Sequence, residues 1–60
     1  MNAEFYNFLS PETLARIVVD VRNLDKGAPG WLLKIECDAL AALIANVGGD
    51  DGRKMIADLE

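Results

Sequence analysis

The residues with the most chemical potential in this 60-residue chain lie close together near its end: Gly48-Gly49-Asp50-Asp51-Gly52, followed by Arg53 and Lys54. A glycine-rich turn ahead of a helix can cradle phosphate, because unpaired backbone N–H groups point at the anion. The spacing of a P-loop is missing here, and two aspartates would repel the anion. As calcium ligands the aspartates would need further oxygen donors at regular positions and a closing glutamate, which do not follow. The string reads more simply as punctuation. Gly48 is expected to end one helix as a left-handed cap, and Asp50 or Asp51 to cap the next.

Cys37 is the only thiol, and the chain has no histidine. A cysteine nucleophile needs a base to activate it, and imidazole is the usual one. One cysteine also excludes an intrachain disulfide. Without histidine the commonest transition-metal ligand is missing. Cys37 lies in line with Leu33 and Leu40, where a free cysteine behaves as a small hydrophobe. It is therefore expected to pack in the core. Paired carboxylates need a cleft to do acid–base work, and a helical chain of this length offers little concavity. The sequence points away from an enzyme, and no residue pattern calls for a cofactor or a metal.

Ten acidic residues against six basic ones give a net charge of −4. No basic stripe exists to neutralise phosphates, so direct nucleic-acid binding is not expected. The longest uncharged run, residues 39–49, is too short to cross a bilayer. The opening Met1-Asn2-Ala3-Glu4 carries an acid where a secretory signal carries positive charge. A cytoplasmic protein with a reduced thiol is the resulting expectation.

Positioning falls to helices, within a single domain covering residues 1–60. Ser10 caps, Pro11 suits a first helical position, and Glu12 favours the first turn. Leu14, Ile17, Val18, Val21 and Leu24 then share one face, with Val19 as an apolar exception on the polar side. A helix is expected over residues 11–25. Gly27, Pro29 and Gly30 break it. A longer helix over residues 30–47 carries Leu33, Cys37, Leu40, Ile44 and Val47 at spacings of 4, 3, 4 and 3, a heptad seam. Leu32, Ala39 and Leu43 widen its apolar arc, and only Lys34, Asp38, Ala41 and Ala45 look polar or small. One neighbouring helix cannot cover so broad an arc. Short helices are expected over residues 3–9 and 52–59.

Glu36 falls inside that arc. A lone buried carboxylate costs several kcal/mol, roughly. It must therefore reach solvent near the helix start, or pair with Arg22 or with an arginine of a second subunit. Phe5, Tyr6 and Phe8 cluster in the first segment, and at least one of Tyr6 and Phe8 should face solvent. Trp31 is expected to lie as a lid on the core.

The fold class is all-α: a small helical hairpin with short flanking N- and C-terminal helices, dimerising into a helical bundle. A chain this small buries only about 60% of its unfolded surface. At 52% hydrophobic it should leave apolar surface for partners. The expected partner surface is Phe5, Tyr6, Phe8, Trp31, Leu33, Glu36, Cys37, Leu40, Ile44 and Val47. The expected function is a small acidic protein-binding module, a homodimer that regulates or inhibits a larger protein machine. A phage or mobile-element origin, with a host enzyme as the target, fits that expectation. The alternative is an assembly subunit with no inhibitory role.

Overall fold

Strong local signals set the first helix, and packing sets the other two. The computed structural model describes residues 6, 8–24 and 26–60. Helix α1 spans Pro11–Arg22. Ser10 is extended, and its Oγ accepts from the Thr13 backbone N–H at 3.2 Å while lying 2.9 Å from Thr13 Oγ1. This satisfies one of the donors that a helix start leaves open. The helix stops at Arg22, short of the expected residue 25. The Asn23 N–H closes it onto the Val19 carbonyl at 3.0 Å.

Helix α2 spans Gly30–Val47 and has no side-chain cap. The N–H groups of Leu32 and Leu33 both donate to the Pro29 carbonyl, at 3.0 Å each. Helix α3 spans Gly49–Leu59. Gly48 separates α2 from α3, with φ 96° and ψ 160°. Its φ is positive, as expected, but its ψ is extended, so the left-handed cap expected there does not form. That backbone region is open essentially only to glycine. Its geometry lets α3 begin at once, with the Gly52 N–H donating to the Gly48 carbonyl at 2.9 Å. Asp50 and Asp51 therefore sit within the first turn of α3 and do not cap it. Carboxylates there still favour the helix dipole.

The three helices pack against one another in every pairing. The core holds Tyr6, Leu14, Ala15, Val18, Val19, Ala39, Ala42, Leu43 and Ile56. Leu14, Leu43 and Val18 are its largest fully enclosed side chains, each worth about 1.5–3 kcal/mol over an exposed position. Val19, the apparent exception on α1, is buried in the same cluster as Ile56 of α3. Burial against a third helix makes α1 apolar over a wider arc than a single-partner helix needs. α3 approaches α2 closely at Gly52, where a Cβ would lie 3.4 Å from Leu43 Cγ. No helix among the described residues is long and apolar enough to cross a membrane.

Candidate functional site: the outer face of α2

Helix α2 is apolar nearly all round, so its neighbours decide which side becomes core. Ala39, Ala42 and Leu43 are its buried residues. The alanines let backbones approach closely, which directs this side toward α1 and α3. The heptad seam divides: Leu40 and Val47 pack against the core, and Leu33, Cys37 and Ile44 lie outside it. Leu33 is 47% exposed and Ile44 36%. Cys37, expected inside, is exposed, and Leu40 and Val47 are half-buried on the edge.

Ala41 and Ala45 are exposed as well. They continue the line of Leu33 and Cys37 at four-residue steps, so all four share one face of the helix. Lys34 is the only charged residue fully exposed along α2, since Glu36 and Asp38 are both partly covered. Sequence reasoning assigned Ala41 and Ala45 to a narrow polar strip. The signal that identifies them as part of an outer face is the four-residue repeat, which carries small side chains and no charge.

Glu36 lies beside this face with its side chain 17% exposed, and it pairs within the chain. Arg22 Nε lies 3.5 Å from Glu36 Oε1, and Arg22 Nη1 lies 4.0 Å from Glu60 Oε1. One guanidinium thus ties the end of α1 to both other helices. An arginine from a second subunit is not required for Glu36. Next to this pair, Leu40 and Ile44 of α2 line a shallow groove with Arg53 and Ile56 of α3.

The aromatic residues divide. Tyr6 is buried and belongs to the core, whereas Phe8 is 89% exposed. Trp31 is 67% exposed and so is not a lid on the core. It sits in the first turn of α2, on the side of Lys34, Ile35 and Asp38, where it shares a shallow groove with Tyr6. Tyr6 supplies the buried aromatic in its place. Phe5 lies outside the described residues, as does most of the helix expected over residues 3–9.

The structure thus gathers Leu33, Cys37 and Ile44 on one exposed face, with Leu40 and Val47 at its edge. It separates them from Tyr6, and it places Trp31 on a neighbouring flank. Among the described residues no group of three histidine, cysteine or acidic side chains is arranged to hold a metal ion. The arrangement offers apolar contact surface. No protein-family model matches the chain, and no curated protein or solved structure matches it either.

Proposed function

We propose that this chain is a small acidic protein-binding module that regulates or inhibits a larger protein assembly by docking through the outer face of α2. One observation carries the reading. An 18-residue helix leaves Leu33, Cys37 and Ala41 exposed, and Ile44 partly so, outside the core cluster of the described residues. Exposed apolar faces of this kind mark interaction sites. The absence of a basic face makes a protein surface a better partner than nucleic acid. Self-association into a dimeric bundle belongs to the same reading, because the face has heptad spacing.

An assembly subunit with no regulatory role is the second reading. Apolar exposure beyond α2, at Phe8, Leu24 and Leu59, favours it. Such a subunit would be insoluble without its partner, whereas a regulator is soluble alone.

The test is a photo-crosslinking amino acid placed at Leu33 and, as a control, at exposed Asp51, in cells that express the chain. The Leu33 probe should capture discrete protein bands. Unlabelled wild-type chain should compete them away, and Ile44→Glu should not. Identical capture from both positions would remove the outer face of α2 from the proposal.

A further inference from the structure

We propose that the outer face of α2 is covered by a second copy of the same helix running antiparallel, with the two-fold axis passing between Cys37 and Ala41, level with Ala39. The inference rests on the reading of that face as a protein-binding surface and names its occupant. Charge and shape select this partner and this direction.

The ends of α2 are electrostatically uncompensated. Its first turn holds no acidic residue and its last turn no basic one, so the partial charges at both helix ends stand open. Its single fully exposed charge, Lys34, lies near the positive end. Two exposed acids, Asp50 and Asp51, follow the negative end within a few residues. In a parallel pair, the two Lys34 side chains would lie together and like helix ends would coincide. An antiparallel pair instead sets each Lys34 against the last turn of the other copy's α2, the negative end of that helix. The ends of the two α2 dipoles then meet their opposites, which a second copy supplies without any further partner.

Side-chain size agrees. The outer line is Leu33, Cys37, Ala41, Ala45. With the axis near Ala39, Leu33 faces Ala45 of the second copy and Cys37 faces Ala41. Each larger residue meets a smaller one, so the ridge of one helix fits the groove of the other. A parallel pair puts Leu33 against Leu33 and Ala45 against Ala45, which crowds one end and leaves the other open. A stable interface takes about 800 Å² from each partner, against a total surface of 4158 Å² for this chain. One helix face covers less than that unless Leu40 and Val47 at its edge take part. The dimer should therefore dissociate on dilution.

Paired cysteines in the full chain test this. On a Cys37→Ala background, Leu33→Cys and Ala45→Cys chains are treated with a short bismaleimide, each alone and mixed. The mixture should crosslink faster than either alone by about tenfold, as facing positions should. Adding Ile44→Lys to both chains, which sets an ammonium group against Lys34 of the other copy, should abolish that advantage while circular dichroism shows the helices intact. Lys34→Glu, at an exposed position with no bearing on the core, should also weaken it, whereas Lys54→Glu should not. Faster crosslinking of each variant with itself would overturn the antiparallel direction. Single-chain mass by sedimentation at every concentration would overturn the second copy. Capture of a different protein at Leu33 would then still stand for the binding module itself.

Discussion

The inner and outer faces of α2 are equally apolar in outline, yet they do different work. The inner face is Ala39, Ala42 and Leu43, two small residues around one large one, and α1 and α3 close over it. The outer face is Leu33, Cys37 and Ala41, which no described residue encloses, with Ile44 at its edge beside Gly52 of α3. Hydrophobicity alone does not separate them. What separates them is close approach: alanines on the inner face, and Gly52 opposite Leu43, admit neighbouring backbones. The core of this small domain is chosen by where helices fit, and the leftover apolar side becomes available for binding.

That contrast can be broken most forcefully at the aromatic and leucine positions. Tyr6→Ala should destabilise the monomer by about 3 kcal/mol or more, as for other large core aromatics, while Phe8→Ala should change it by less than about 0.5. Leu43→Ala should cost about 2–5 kcal/mol in a dilute urea titration. Leu33→Ala, at an exposed position of the same helix, should stay within about 1 kcal/mol under those conditions. Comparable losses at Leu33 and Leu43 would mean that both faces serve the core.

The helix start sharpens the contrast at a smaller scale. Ser10→Ala removes the only side-chain cap on the three helices and should cost about 1 kcal/mol. The smallest effect concerns the charge beside the face. Glu36→Gln breaks a pair whose arginine is 42% exposed, so it should cost at most about 1 kcal/mol in the monomer. Asp38→Asn should remain within about 0.5 kcal/mol. A loss at Glu36 of several kcal/mol would show a carboxylate far more enclosed than its pairing with Arg22 implies.

Much of α1 was legible because independent local signals agree there: Ser10, Pro11, Glu12 and a helical period all point to one start. The stop at Gly48 was legible for the same reason. The start of α3 was not, because an extended glycine can join two helices with no linker, and Asp50 and Asp51 resemble caps when they are first-turn residues. Val19 looked misplaced because the period of α1 was read against one neighbour, whereas two are present. The seam on α2 was legible from its heptad spacing, but Cys37, expected in the core, is exposed. Alanine contributes little to a hydrophobic pattern, yet Ala39 and Ala42 mark the closest packing. Arg22 was legible as a partner for Glu36, since it lies on the flank of α1. Trp31 was not legible as exposed, because aromatic content cannot tell which of several aromatics fills a small core.

The most direct test is the rate at which Cys37 reacts with Ellman's reagent, measured across a wide range of protein concentration under native conditions. The thiol lies on the outer face of α2 and is exposed in the single chain. At high dilution it should react nearly as fast as in urea-unfolded protein, and the rate should fall as concentration rises and a second copy covers the face. A slow rate at every concentration would mean the face is enclosed within one chain, contradicting its assignment as a binding surface. A fast rate at every concentration would mean that no second copy covers it.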